Sequence, residues 1–151
     1  MHSNEILRHQ LDRYYHLFRE LTFLYEEWSK SQGMSYNNLM IFSAIYEHQG
    51  DCTQKTLRDK WFLPKQTINS ILKDFERKKL IRLVQSPGDK RNKFIKLTKS
   101  GTRQAEKVVP ALRTLELEVL KAMGHERVER FNTDMACFIS LFQKGVGENN
   151  G

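Results

Sequence analysis

The chain has 151 residues, of which 39% are hydrophobic and 28% charged, and its formal net charge at pH 7 is +7. This length is typical of one domain with a modest core. No apolar run approaches the ~18 residues that a membrane helix needs, and the first residues lack the apolar segment of a signal peptide. We therefore expect a cytoplasmic protein without a membrane partner.

Residue types that carry chemistry are scattered along the chain. Cys52 and Cys137 lack the short paired spacings of a metal motif or a disulfide framework, so we expect buried free thiols. His2, His9 and His16 recur every seven residues, which places them too far apart along a helix to share one metal ion. The sequence contains no glycine-rich phosphate loop and no recognisable nucleophile motif. We predict no metal, no cofactor and no catalytic residue, and hence no enzyme.

Positive charge is concentrated in the middle of the chain. Residues 53–103 contain 15 Lys and Arg against four acidic residues, whereas the rest of the chain has 10 basic and 14 acidic residues. Such a basic surface attracts polyanions. The middle of the chain is therefore where a partner is expected to bind.

The N-terminal segment predicts a long amphipathic helix. Its main apolar stripe, with spacings of three and four, consists of Leu7, Leu11, Tyr14, Phe18, Leu21, Tyr25 and Trp28. Leu17 and Leu24 widen this stripe beyond what one surface helix needs. A face of this width favours packing on a second copy of the chain, as in helix bundles, and packing within one chain is the alternative.

Three shorter helices follow. The first, in "SYNNLMIFSAIYEHQG", has Ser35 as a cap and Gly50 as a stop, and the second, in "CTQKTLRDKW", begins at the cap Thr53. The third, in "FLPKQTINSILKDFERKKL", has Pro64 in its first turn. Because a tight turn separates the last two, the segment predicts a helix-turn-helix.

The third of these helices has one apolar and one polar face. Ile68, Ile71, Leu72 and Phe75 occupy the core positions, and the opposite face with its flanks carries Gln66, Thr67, Asn69, Ser70, Lys73 and Arg77. Amide, hydroxyl and ammonium groups can bond base edges and phosphates in a DNA major groove. The alternative is the solvated polar face of any amphipathic helix.

A β-hairpin is predicted next. "IRLVQ" and "KFIKLT" alternate in polarity and are joined by a turn that contains Pro87 and Gly88. The apolar residues expected on one face are Ile81, Leu83, Ile95 and Leu97. The pattern is that of two antiparallel strands.

The tip of this hairpin carries three cations, Lys90, Arg91 and Lys93. Their mutual repulsion is relieved when an anion is near, and DNA phosphates or a narrow minor groove supply one. We expect Asp89 to orient the Arg91 guanidinium and to hold the loop in shape. A hairpin beside a helix-turn-helix can thus reach the DNA next to the groove that the helix reads.

Two further amphipathic helices end the chain, and Gly124 separates them. Their apolar positions are Val108, Leu112, Leu115 and Val119 in the first and Val128, Phe131, Met135, Phe138 and Phe142 in the second. Like the N-terminal helix, they are interpreted as dimerisation helices.

The order of these elements resembles the multiple antibiotic resistance regulator (MarR) family of bacterial winged-helix transcription factors over nearly the whole chain. The most specific segment, "SPGDKRNKFIKLTKSG", is similar to that family's Asp-x-Arg wing, strand and Leu-Thr-x-x-Gly helix start. "TQKTLRDKWFLPKQTINSILKDFERKKLIRLV" fits its helix-turn-helix. Lys79 departs from the pattern, because it stands where the family usually has Gly and must adopt a left-handed conformation or end the helix differently.

The resemblance implies a mainly α fold with a small β-hairpin, in a single MarR-type domain over residues 1–151. Dimerisation helices at about 1–32 and 104–145 would flank a winged helix-turn-helix lobe at about 35–103. It implies a homodimer that binds pseudo-palindromic double-stranded DNA, usually as a repressor, and that a small molecule or an oxidant releases.

By match with the family, residues of the third short helix would read the major groove and Arg91 would enter the minor groove. The major-groove set is Gln66, Thr67, Asn69, Ser70 and Lys73. Thr53, Gln54 and Lys65 would hold phosphates near helix N-termini.

The effector does not transfer from the family. We expect that aromatic residues of the first two helices line a cleft for a small aromatic ligand, with core packing as the alternative. These residues are Tyr14, Tyr15, Phe18, Tyr36, Phe42 and Tyr46. Family members that sense oxidants use a Cys near the N-terminal helix, and this chain has no Cys before Cys52.

A second class of function is a dimeric interaction module whose basic middle binds RNA or an acidic protein. It would need exposed aromatic residues for base stacking, and Trp61 and Phe62 are the candidates. In the turn of a helix-turn-helix these two are expected to pack inward instead.

Overall fold

The computed structural model describes residues 2–48 and 50–149. In chain order the elements are α1 (His2–Ser31), α2 (Tyr36–Glu47), α3 (Gln54–Trp61), α4 (Lys65–Arg77), β1 (Ile81–Ser86), β2 (Asp89–Leu97), α5 (Lys99–Met123) and α6 (His125–Asn149). The two strands form an antiparallel sheet. The predicted mainly α fold with a β-hairpin is therefore confirmed.

The chain divides into two compact units, Met1–Val108 and Val109–Gly151. In the first unit, α2 is the central helix, because every residue from Leu39 to Ile45 is buried. The Phe42 ring lies against Phe75 of α4 with ring centroids 5.4 Å apart. The four predicted core residues of α4 are all buried, so the periodicity identified its inner face correctly.

Helix starts follow local chemistry. The Ser35 hydroxyl accepts a hydrogen bond from the Asn38 N–H at 3.2 Å, and Thr53 forms a capping box with Thr56 at the start of α3. Pro64 is the N-cap of α4 and lies one residue before its first turn. The end of α2 is likewise earlier than expected, at Glu47, because His48 caps it before the chain reaches Gly50.

Helix α4 ends in a Schellman motif. The Lys79 N–H donates to the Glu76 carbonyl and the Leu80 N–H to the Phe75 carbonyl, both at 2.9 Å. Lys79 has φ +58°, the left-handed conformation expected from its departure from the family pattern. Because Leu80 and Phe75 are both buried, hydrophobic packing holds this strained turn in place.

The hairpin register pairs Ile81 with Leu97 and Leu83 with Ile95, so the four predicted apolar residues do share one face. Ile81 and Ile95 are buried. Leu83, in contrast, is 38% exposed, because the hairpin extends beyond the core that covers its base. The Ile95 N–H donates to the Cys52 carbonyl at 2.8 Å and ties the hairpin to the segment before α3.

The first residues of α5 are joined to the end of α4. The Thr98 N–H donates to the Leu80 carbonyl at 3.0 Å, and the Thr98 hydroxyl donates to the Lys79 carbonyl at 2.7 Å and accepts from the Gly101 N–H at 3.0 Å. A Cβ on Gly101 would meet the Leu80 carbonyl oxygen and lie 2.9 Å from its carbonyl carbon. Only glycine fits there, which gives the Leu-Thr-x-x-Gly segment a physical reason.

The second unit contains the C-terminal part of α5 and the whole of α6. Gly124, at φ +85°, joins the two helices where the sequence predicted a break. Among the described residues, no helix combines the length and the apolarity that crossing a membrane requires.

We predict that Gly101→Ala destabilises the protein by about 1 to 3 kcal/mol, because the added methyl group pushes backbone against backbone. Urea unfolding followed by circular dichroism measures the change. Gly147→Ala, in an open stretch of α6, is the matched control and should stabilise by up to ~1 kcal/mol through helix propensity. Equal stabilities of Gly101→Ala and the parent protein would contradict the prediction.

Candidate nucleic-acid interface

The polar face of α4 points away from the core. Gln66, Ser70 and Lys73 are exposed, and Thr67 and Asn69 are half-buried on its flanks. Because the opposite face is locked into the core, these side chains project from a rigid helix. The structure therefore brings together five of the residues predicted to read DNA bases.

A shallow groove runs beside the first turns of α4. Its volume is about 580 Å³, and its lining residues are Ser35, Asn37, Asn38, Pro64, Gln66, Thr67, Ser70 and Ile71. The sequence prediction missed the contribution of α2 here. Asn37 and Asn38 resembled ordinary residues of a first helical turn, and only the crossing of α2 and α4 places them beside Gln66 and Ser70.

Two residues predicted to contact DNA bond each other. The Gln54 side-chain amide at the start of α3 donates to the Asn69 side-chain carbonyl on α4. This bond uses the Asn69 oxygen and leaves its amide group as a donor. The Thr53 hydroxyl accepts from the Thr56 N–H at 3.2 Å, so its first role is to cap α3.

Ion pairs divide the cations of this region into two groups. The Asp74 carboxylate binds Lys78 at 2.8 Å and also binds Arg77. The hydrogen bond from Lys78, followed by that from Arg77, holds the pKa of Asp74 below its ordinary value. Among the residues that the structure describes, the exposed cations Lys65, Lys73, Lys90, Arg91 and Lys93 form no ion pair. All five of them are predicted DNA contacts.

The wing cations lie at the start of β2 rather than in the turn. Pro87 and Gly88 form the connection, and the register shifts between Gln85 and Ser86, so residues 90–92 bulge out of the ladder. Lys90, Arg91 and Lys93 are exposed there.

Asp89 shapes this bulge differently from the prediction. Its carboxylate accepts from the Arg91 backbone N–H at 2.9 Å and from the Asn92 side-chain amide at 2.8 Å. We expected it to orient the Arg91 guanidinium. A carboxylate two residues before an N–H closes a compact turn more readily than it reaches the end of the Arg side chain, so it acts on the backbone.

The turn between α3 and α4 also differs from the prediction. Trp61 is half-buried, with its indole N–H enclosed, whereas the Phe62 side chain is 91% exposed. Phe62 does not pack inward, because its φ of +53° turns the side chain away from the core.

The six aromatic residues predicted to line an effector cleft lie in different environments. Phe42 is fully buried against Phe75 and belongs to the core. Tyr14 contacts Phe18 with ring centroids 6.1 Å apart and Tyr15 at 5.6 Å. Tyr36 packs on Tyr25 of α1 at 5.3 Å, and Tyr46 is half-buried near the end of α2.

The two cysteines do not share one environment. Cys52 is buried as predicted, and burial raises the pKa of its thiol to about 11. Cys137 is exposed, which corrects the prediction. It lies two positions after Met135, roughly 200° around the helix, and so falls outside the apolar stripe of α6.

We predict that iodoacetamide at pH 8 modifies Cys137 and leaves Cys52 unmodified in the folded protein, because alkylation requires the thiolate. Mass spectrometry of peptides from folded and urea-unfolded samples measures the modification of each thiol. Alkylation of Cys52 at equal rates in both samples would refute its protection.

In the part of the chain that the structure describes, no three His, Cys, Asp or Glu residues are grouped so as to hold a metal ion. The site consists instead of a helix-turn-helix with an exposed amide and hydroxyl face, beside a hairpin with unpaired cations. These features define a winged-helix DNA-binding protein.

Comparison with known proteins finds similarity to one family. The model of the MarR family matches residues 32–92, from the segment before α2 into the wing. The chain is 26% identical over 114 residues to the HTH-type transcriptional regulator SarZ of Staphylococcus haemolyticus (strain JCSC1435), which covers 76% of this chain and 74% of that relative. The chain is thus similar, over its middle part, to the MarR family, and the relative that it matches is a transcriptional regulator.

Solved structures share the fold. NMB1585, a MarR family regulator from Neisseria meningitidis, superposes with a TM-score of 0.80 at 24% identity, over 93% of this chain and 98% of that one. The S. aureus MepR–DNA complex gives a TM-score of 0.73 at 23% identity, over 84% of this chain and 96% of that one. The prediction of a MarR-type winged-helix fold is confirmed.

Proposed function

We propose that this chain is a homodimeric repressor that binds a pseudo-palindromic operator in double-stranded DNA. The observation that carries the proposal is the separation of two kinds of surface on one lobe. One is the amide and hydroxyl face of α4, and the other is the set of unpaired cations on α4 and the wing. Base reading needs the first kind of group, and phosphate binding needs the second.

In this proposal α4 enters the major groove. The exposed Gln66 and Ser70 bond base edges, and Thr67, Asn69 and Lys73 contact bases or phosphates beside them. The hydrogen bond from Gln54 holds the Asn69 side chain in place, so that the Asn69 amide group faces the DNA.

Phosphates are held around this helix. Lys65 is exposed in the first turn of α4, where the positive end of the helix dipole adds to its charge. Thr53 and Gln54 lie at the start of α3, a second helix N-terminus close to α4. These contacts fix the register of the protein on the duplex.

The wing supplies the remaining contacts. Lys90 and Lys93 meet phosphates, and Arg91 enters the minor groove, where the potential is most negative at A·T steps. The Asp89 carboxylate supports this role, because it fixes the backbone from which the Arg91 side chain extends. The Arg91 guanidinium forms no ion pair within the described residues, so it has no ion pair to break when it binds DNA.

We predict that Gln66→Ala weakens binding to the selected operator by about 1 to 3 kcal/mol more than binding to random duplex. Lys90→Ala should weaken binding to all duplexes alike and lower the slope of log K against log salt by roughly one unit for each phosphate that the variant no longer binds. Fluorescence anisotropy at several salt concentrations, with an operator selected from a random pool, measures both effects.

Arg91→Ala is the decisive variant of this series. If Arg91 enters the minor groove, its removal weakens operator binding strongly and changes the preference at flanking A·T steps. Single-stranded RNA is the competing ligand that tests the alternative of an RNA-binding module. Unchanged operator affinity of Arg91→Ala at ~150 mM salt, or tighter binding to RNA than to operator, would overturn the proposal.

The long helices support the homodimer. Large apolar side chains are exposed along α1, namely Ile6, Leu7, Leu11, Tyr15, Leu17, Phe18, Leu21, Phe23 and Leu24. The second unit exposes Leu115, Leu117, Val119, Leu120, Phe131, Met135, Phe138, Ile139, Leu141, Phe142 and Val146. So much apolar surface is unusual for a monomer and is typical of an obligate interface.

Sedimentation velocity at micromolar concentration should therefore show a dimer. Phe138→Glu and Leu141→Glu, which place a charge among the exposed apolar residues of α6, should shift the protein toward monomer and weaken operator binding together. Lys144→Glu, at an exposed polar position of the same helix, is the control. A wild-type monomer that binds the operator with full affinity would contradict the homodimer.

Release by an effector belongs to the same proposal. Exposed Tyr15 and Phe18 and half-buried Tyr14 form an aromatic surface on α1, and Tyr36 and Tyr46 of α2 are half-buried. These five residues offer ring faces to a small aromatic ligand. Phe42 is left out, because its ring is enclosed in the core.

A further inference from the structure

Phe62 is the most exposed large hydrophobic residue on the described part of the chain, at 91%. It also has φ +53°, a conformation that favours glycine and that, within the described residues, only Lys79 shares among non-glycine residues. A glycine at position 62 would remove both the exposed apolar ring and the backbone strain. No packing within the first unit compensates for them, since the Phe62 ring is almost wholly in solvent.

The backbone of Phe62 is nevertheless firmly held. Its N–H donates to the Arg58 carbonyl at 2.8 Å and completes the last turn of α3. Half-buried Trp61 and Leu63 anchor the chain on either side. The phenyl ring is therefore presented to solvent from a fixed position, and not from a loose loop.

That position adjoins the base-reading face. Phe62 lies three residues before Lys65, the first residue of α4, and Pro64 between them lines the groove that Gln66 and Thr67 also line. In helix-turn-helix proteins the first residues of the second helix contact base edges. A side chain in the preceding turn is then close to the rim of the major groove.

The chemistry of the ring selects its partner. A phenyl group forms no hydrogen bond with phosphates or with base amides, whereas the thymine 5-methyl group is apolar and lies in the major groove. We propose that Phe62 packs against one thymine methyl group in each half-site and so specifies thymine at that position. This inference rests on the proposed operator binding and adds a contact to it.

The test replaces each thymine of the selected operator in turn by deoxyuridine, which removes only the methyl group. With the wild-type protein we expect about a fourfold loss of affinity at one thymine in each half-site, the effect of one buried methyl group. With Phe62→Ala the operator should bind about 10-fold more weakly, and deoxyuridine at that thymine should cause no further loss.

Two glycine variants separate DNA contact from folding. Phe62→Gly should raise the melting temperature, because glycine suits the left-handed backbone, and should still lose affinity and thymine preference. Lys79→Gly relieves the same kind of backbone strain at the end of α4, so it should also raise the melting temperature while the thymine profile stays as in wild type. Greater stability with weaker binding is a result that a purely structural role cannot give.

The outcomes distinguish this inference from the proposed function. If Phe62→Ala and Phe62→Gly keep the wild-type affinity, or lose affinity equally on operator and random duplex with no thymine singled out, the thymine contact is refuted while the Gln66→Ala result still stands. If the wild-type protein prefers no duplex, the proposed function itself fails. Retained operator binding with loss of binding to another protein would assign Phe62 to a protein interface and would also refute the thymine contact.

Discussion

The carbonyl group of Leu80 connects the end of α4, the base of the hairpin and the start of α5. It follows the Schellman motif of α4, accepts the Thr98 N–H at 3.0 Å and lies against the bare Cα of Gly101. Three elements therefore meet at one peptide group: the recognition helix, the base of the hairpin and the first turn of α5. Because a backbone hydrogen bond and close backbone packing form this joint, they fix the distance between the end of α4 and the base of the wing.

The charges of the lobe are arranged around this rigid frame. Near the end of α4, Asp74 binds Arg77 and Lys78 and cancels one of their two positive charges, whereas the cations at the start of α4 and in the wing share no ion pair within the described residues. Unpaired cations are thus present at both places where the proposed complex meets phosphate. The amide and hydroxyl groups of Gln66 and Ser70 are exposed on the polar face of α4. In the proposed complex, different residues of this lobe select bases and attract phosphates.

Periodic features of the fold could be read from the sequence. The inner face of α4 follows from helical spacing, the shared face of Ile81 and Ile95 from strand alternation, and the cap at Thr53 from its side chain. The family pattern left two alternatives for Lys79, a left-handed conformation or a different helix end, and the structure has the first, which residue preference would argue against.

Features that depend on how elements cross could not be predicted. The bond between Gln54 and Asn69 joins residues 15 positions apart and exists only because α3 crosses α4. Hydrophobicity predicted burial for Phe62 and gave no sign of the backbone angle that exposes it. The alternation of polar and apolar residues predicted the correct face for Leu83. It did not predict that the hairpin extends beyond the core and leaves Leu83 exposed.

The ion pairs of Asp74 affect how strongly the protein would bind random DNA relative to an operator. A cation at the end of the recognition helix would strengthen binding to any stretch of duplex, correct or not, and random sites outnumber an operator by a factor on the order of a million or more. By binding Arg77 and Lys78, Asp74 cancels one of their two positive charges and so lowers the attraction of this helix end to any duplex. If the chain acts as proposed, less of the protein is then held on random DNA, and a larger share of a small cellular pool is left to occupy the operator.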